Sequence, residues 1–463
     1  MILSRSRELV MGATLIAVLA LGVAFDGVTD ETEPPAPVAE QSRIFTERAV
    51  FCPSSGGGTE GTVHLAGSGF DESSVTAGIE PGDGETQDLG ARALFHDVDD
   101  NTPLGLVGYG GRVAASAATT YTEPVGGLAS AACSTEASTE WFFPQGSVAL
   151  GFNESLILYN PFPDEAVVRV TFHTKGGSRS KANLNDVAIP SGDATTLRMN
   201  RFILQQKVLG AEVRSVRGRF VAWKVVFAKP ENQPPGASLT LGATEPALEW
   251  YFPTGASGDG LEERLSILNP SDEEALVDVS LITDKRMIQP ESLVGFKVDV
   301  GSTREIDLSH ALDERDVGSV SVVVRSVNGV ELVAERSVWY DSGAFRGYAS
   351  EIGATEPSTN VWLGLPAANP TSDSIIILNL GEEEAEVDVE LRRASGEPLR
   401  PDELQGITVA TGGRGRIDLD RWSQDEPVVA IISSSSPVVA ERIAYSGSAE
   451  DVAALMGLAT PDS

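Results

Sequence analysis

At 463 residues the chain is longer than one hydrophobic core supports, so several domains are expected. Hydrophobic residues at 41% and charged residues at 22% exclude wholesale disorder. With 34 Lys and Arg against 67 Asp and Glu, the formal charge of −33 repels phosphate backbones and anionic head groups and argues against a nucleic-acid partner.

Residues 1–25 read as a signal anchor or signal peptide: Arg5 and Arg7 precede an apolar run over 9–25, and Asp26, Asp30, Glu31 and Glu33 follow it. Gly22 and Ala24 make a poor cleavage pattern, which favours an uncleaved, single-pass anchor in the cytoplasmic membrane with the bulk extracytoplasmic; a cleaved signal would give a secreted protein. Residues 26–47 are acidic and carry Pro34, Pro35 and Pro37, a composition that reads as an extended stalk.

Beyond the stalk the sequence repeats at about 110 residues, with modules expected at 141–249, 250–361 and 362–463. Each opens on an aromatic segment at Trp141, Trp250 or Trp362, and these tryptophans are expected in equivalent places, packed at the junction with the preceding module. An apolar strand ending at Asn160, Asn269 or Asn379 follows, and the Asn-Pro or Asn-Leu turn after it reads as a hairpin. The next strand alternates with period two, as in Ala166, Val168, Val170 and Phe172. Two late strands come next, and the first two modules close on the same five residues, starting at Gly242 and Gly353. Residues 48–140 read as a degenerate fourth copy with Cys52 and Cys133 near its two ends, an even pair that predicts one disulfide. Short strands, Gly/Pro/Asn turns and the repeat length predict an all-β fold of tandem β-sandwich modules, immunoglobulin-like in arrangement.

Chemistry-bearing residues are sparse. The four histidines, His64, His96, His173 and His310, show no metal spacing, and no cofactor is expected. Ser178 and Lys181 match Ser-x-x-Lys without its companion motifs. Asp97, Asp99 and Asn101 alternate as at the start of a calcium loop, but Thr102 stands where that loop needs glycine and Gly108 where it needs glutamate, so an acidic turn is the simpler reading. An acid precedes the Asn-ended strand in each clear module: Glu154, Glu263 and Asp373. With Glu335-Arg336 and Glu441-Arg442 on a later strand, these acids either line a groove for a sugar or peptide or form cross-strand ion pairs on a solvated face.

The Cys52-Pro53 opening, Cys133, the segment from Trp141 to Pro144 and the text from Val438 to Arg442 resemble an actinobacterial family of secreted or membrane-anchored envelope proteins known only as a domain of unknown function. The resemblance implies an envelope location, an association with envelope polysaccharide assembly and no established site residues. The expected function is a non-catalytic scaffold or binding protein whose partner is an envelope protein or glycan. An enzyme acting on envelope glycans through paired carboxylates is the alternative, and it requires two acids facing one another across a cleft.

Overall fold

Alternation along the chain becomes two-sheet packing. In Ala166–Thr174 the residues Ala166, Val168, Val170 and Phe172 are buried while Arg169 is exposed, so one face of the strand meets a second sheet and the other meets solvent or a neighbour. The computed structural model describes residues 49–460 except 57–59, 70–75, 81–85, 99–102, 110–111, 310, 313–317, 344 and 448–450. The expected anchor and stalk lie outside the described residues, as do Asp99, Asn101 and His310. No helix among the described residues is long and apolar enough to cross a membrane.

The chain is all-β, built of tandem β-sandwich modules. In the module after the disulfide-bearing one, the seven main strands are Glu140–Phe143, Phe152–Tyr159, Ala166–Thr174, Ala194–Arg198, Gly210–Arg217, Val221–Ala228 and Gly236–Leu241. One sheet has the order first, fifth, third, with the short strand Gly177–Ser180 on its edge; the other has the order fourth, second, sixth, seventh. The disulfide-bearing module and the two later ones use the same order. The immunoglobulin scheme divides its strands as ABED and CFG; in the same lettering this chain divides them as AEC and DBFG. In the last module a single strand, Val429–Ser446, serves as fifth and sixth together, pairing in one sheet through its first half and in the other through its second.

The Asn-ended second strand and the alternating third strand lie in different sheets, so the turn between them is a corner between layers where a hairpin was expected. Asn269 shows why asparagine stands there. Its Nδ2 donates to the carbonyls of Glu273 and Val298, 2.7 and 3.0 Å away, and its Oδ1 accepts the Ser271 N–H at 3.0 Å. Asn160 and Asn379 repeat these bonds at their own corners, and all three side chains are buried.

Cys52 and Cys133 form the disulfide, with Cα atoms 4.3 Å apart, tying the first strand of its module to the end of the seventh. Pairing places Phe143 over Gly242 and Phe252 over Gly353 at the same level in the next two modules. A Cβ on either glycine would lie 2.7 Å from the phenylalanine Cζ, so the bridge replaces a ring packed on a glycine.

The modules close on one another. Phe51, Phe142, Tyr251 and Trp362 occupy one register position, each bridged to the residue after its module's closing Cys or Gly. Each points at the next module, with Phe51 against Tyr159, Phe142 in the core of 250–361, Tyr251 against Leu378 and Val439, and Trp362 against Ala66, Ala93 and Ala114. The last joint returns to the first module, so the described body forms a ring. Trp362 is therefore not equivalent to Trp141 and Trp250, which lie one position earlier, inside their own cores, and donate their indole N–H to the carbonyls of Phe220 and Leu332. Trp362 instead donates to Ser68 Oγ across the closing joint. The one-residue offset reverses the side chain's face, as the period-two geometry of a strand requires.

Candidate functional site: the ring axis and the polar joints

The seventh strands Gly127–Ala132, Gly236–Leu241, Phe345–Ile352 and Asp451–Met456 meet at the centre of the ring, each touching the next and the last touching the first. Small side chains let four backbones approach: Ala129, Ser130, Ser238, Ala349, Ala453 and Ala454 line the contact, which holds no water-sized void. Ser130 Oγ donates across it to the Ala454 carbonyl at 2.9 Å.

One carboxylate organises this centre. Asp451 Oδ2 accepts the N–H of Leu128 and Ala237, at 2.9 and 3.1 Å, while Oδ1 accepts the N–H of Tyr348 and Val452, at 2.9 and 2.7 Å. Each module contributes one donor. The positions equivalent to Asp451 are Gly127, Gly236 and Gly347, and only one side chain fits. A Cβ at Gly347 would lie 1.7 Å from Asp451 Oδ1, and one at Gly236 would lie 2.6 Å from the Tyr348 nitrogen. Burial pushes the Asp451 carboxyl up to about 8, against the four N–H groups that favour its charged form.

Around the axis, buried charges run from module to module. Lys224, Arg336 and Arg442 share one position of the sixth strand, and the residue before each faces the previous module. Glu335 accepts Lys224 Nζ at 2.6 Å and the Gln145 N–H at 3.0 Å across one joint. Glu441 accepts Arg336 at 2.6 Å and the Thr254 N–H at 2.9 Å across the next. At the closing joint Ser116 Oγ accepts the Leu365 N–H at 2.9 Å. Between the first two modules the place is filled by the buried Trp223, and Tyr121 packs edge-on to Phe227.

The predicted acids belong to this network and line no groove. Glu154, Glu263 and Asp373 are all buried, one per module. Asp373 holds Arg442 with two bonds, of 2.9 and 2.6 Å. Glu154 accepts the Ser147 N–H, and burial pushes it up to about 8 although Lys224 opposes the shift. Glu263 accepts the Ala256 N–H and is pushed up by burial to about 7 beside Arg336. Glu351, opposite Arg336 on the seventh strand, is also raised well above the usual carboxylate range by burial. In the first module the equivalent pair is Val63 and Ala117, so a sandwich of this kind closes equally well without it.

Among the remaining candidates, His64 Nδ1 lies 2.7 Å from Asp97 on the surface of the first module. His173 sits in a joint between Glu212, at 3.1 Å, and the Gly301 carbonyl, at 2.8 Å. Sequence reasoning missed Asp451. Its only trace is the recurrence of Gly127, Gly236 and Gly347 ahead of small residues, which gains meaning once four strands are known to converge.

A family of unknown function, DUF5719, matches residues 97–240 and 237–455. No curated protein matches the chain. Three solved structures show a distant likeness. Thermotoga maritima 1070 is 22% identical over 24% of this chain and 96% of its own, with a TM-score of 0.21. A Streptomyces avermitilis α-L-rhamnosidase complexed with L-rhamnose is 11% identical over 83% and 54%, with a TM-score of 0.13. The FN1–FN3 domains of chicken CNTN1 are 9% identical over 70% and 99%, with a TM-score of 0.09. At these scores none of the three bears on fold or activity.

Proposed function

We propose that this chain, which belongs to the DUF5719 family of unknown function, is a non-catalytic scaffold held on the extracytoplasmic side of a bacterial membrane, of actinobacterial type, where it serves the assembly of envelope polysaccharide. One observation carries the reading: the charged residues that recur from module to module are buried, some in the joints between modules and the rest inside a single module. Glu335 and Glu441 are engaged across joints by Lys224 and Arg336, Asp373 within its own module by Arg442, and Asp451 by one backbone N–H group from each module. A chain that spends its recurrent acids on holding a ring rigid is suited to presenting surfaces at fixed spacing. The Cys52–Cys133 bridge supports an oxidising compartment, and the apolar run over 9–25 with its flanking charges supports a tether.

The test is a topology and turnover experiment on the full chain produced in an actinobacterial host. The reading expects the protein in the membrane fraction, its modules digested by protease added to cells stripped of their wall, the two cysteines unreactive until reduced, and envelope glycan fragments crosslinked to it but not cleaved. Free thiols in a protease-protected chain would overturn the location. Glycan hydrolysis that disappears in Glu263→Gln would overturn the scaffold.

A further inference from the structure

The two most exposed large apolar side chains among the described residues, Leu150 at 98% and Leu204 at 71%, stand on neighbouring loops at one end of the 141–249 module. The loops are joined to one another. Val148 N–H donates to the Gln206 carbonyl at 2.9 Å, and Lys229 N–H donates to the Gly151 carbonyl at 2.7 Å. Each leucine is followed by a left-handed residue. Gly151 has φ +88°, and a Cβ there would lie 2.6 Å from the Lys229 carbonyl oxygen. Gln205 has φ +56° and is the one non-glycine residue with positive φ among the described residues. A bulky residue in that region is under strain, so the loop is bent against local preference in a way that leaves Leu204 in solvent.

The charge around the two leucines is opposite to that of the chain. Residues 141–249 hold twelve Lys and Arg against nine Asp and Glu, in a protein with 34 against 67. Arg201, Lys207 and Lys229 are exposed on the same loops, with Glu231 the acid among them. A protruding apolar tip flanked by cations is the arrangement that enters the boundary between head groups and acyl chains of an anionic bilayer. Screening over roughly 10 Å at 0.1 M salt lets this patch act despite the net charge of the whole.

We propose that Leu150 and Leu204, with Arg201, Lys207 and Lys229, form a docking surface for an anionic lipid bilayer, which turns the 141–249 module of the tethered ring toward the membrane. The proposal rests on the membrane-tethered reading above. A tether raises the effective concentration of lipid, so a small patch is enough to fix orientation.

The experiment uses the full chain, disulfide intact, with an environment-sensitive fluorophore on Leu204→Cys, reconstituted into vesicles of phosphatidylcholine alone or with phosphatidylglycerol. A blue shift of the emission and its quenching by spin-labelled acyl chains are expected in the anionic vesicles only. Both should be lost in Leu150→Asp and in Arg201→Glu/Lys207→Glu. A label that stays aqueous in anionic vesicles overturns the proposal, as does a blue shift that tracks protein concentration without lipid, which would assign the patch to a second copy of the chain. Failure of the chain to float with either vesicle defeats the tether instead, and the shift on adding anionic vesicles to the soluble chain still decides the patch.

Discussion

Replacing Asp451 with glycine, the residue the other three modules carry at that position, removes the acceptor of four buried N–H groups at once. Each buried donor left unpaired costs about 1–3 kcal/mol, less where water enters, so Asp451→Gly should cost about 3–6 kcal/mol and lower the thermal midpoint of the whole chain. Asp451→Asn keeps the volume but turns an amide NH2 toward converging donors, and should recover little of the loss. An unchanged midpoint in calorimetry for both variants would contradict the assigned role. The tryptophans divide at the same scale. Trp250→Ala empties the core of its own module and should cost about 3–5 kcal/mol, whereas Trp362→Ala opens the closing joint against Ala66, Ala93 and Ala114. The sequence placed all three on strands near module starts, but a one-residue offset between Trp250 and Trp362 is invisible without the pairing partner, because either register leaves an apolar residue facing inward.

Asparagine at the end of the second strand ties three pieces of chain together, and its two side-chain atoms do different work. Asn269→Asp keeps the acceptor for Ser271 but loses both donations, to the Glu273 and Val298 carbonyls, and sets a buried charge against them. It should cost about 2 kcal/mol or more, and Asn269→Ala a similar amount, both measurable as a shifted midpoint in urea. Equal stability of Asn269→Asp and the parent chain would show that the corner does not depend on these bonds. Strand positions were legible here because apolar runs and period-two alternation are local properties. Whether Asn160 begins a hairpin or a corner was not, since asparagine followed by proline serves both turns and the choice is made by which sheet the third strand joins. The fusion of late strands into Val429–Ser446 was likewise hidden, because Pro437 inside the run reads as a break.

A closed ring differs from a row of beads in what it makes interdependent. The first two modules share one hydrophobic cluster that runs from Phe51 and Tyr121 to Leu239, and the last module seals the first through Trp362 and Leu365. A chain ending at residue 357 therefore exposes two faces and loses Asp451 altogether, and should unfold well below the full chain in a scanning calorimeter rather than as three undisturbed modules. The repeat itself was legible in the sequence, but its closure was not, because the contacts that close it pair residues about 300 apart, such as Ser68 with Trp362. Closure also concentrates buried carboxyls, and this sets how the whole molecule responds to pH. Burial holds Glu154 up at about 8 and Glu263 at about 7, with Glu351 also raised, against unfolded values of about 4. Between those limits the native state binds more protons than the unfolded chain, so unfolding free energy falls as pH rises. The contribution is complete below about pH 4, declines steadily to about pH 8, and is flat beyond. Urea midpoints measured from pH 4.5 to 9 should therefore decrease toward alkaline pH. Glu154→Gln, which cannot ionise, should flatten part of that slope while leaving the remainder with Glu263 and Glu351. A midpoint that rises with pH over this range would mean that these buried glutamates are charged in the folded ring, held by Lys224 and Arg336 more strongly than burial opposes them.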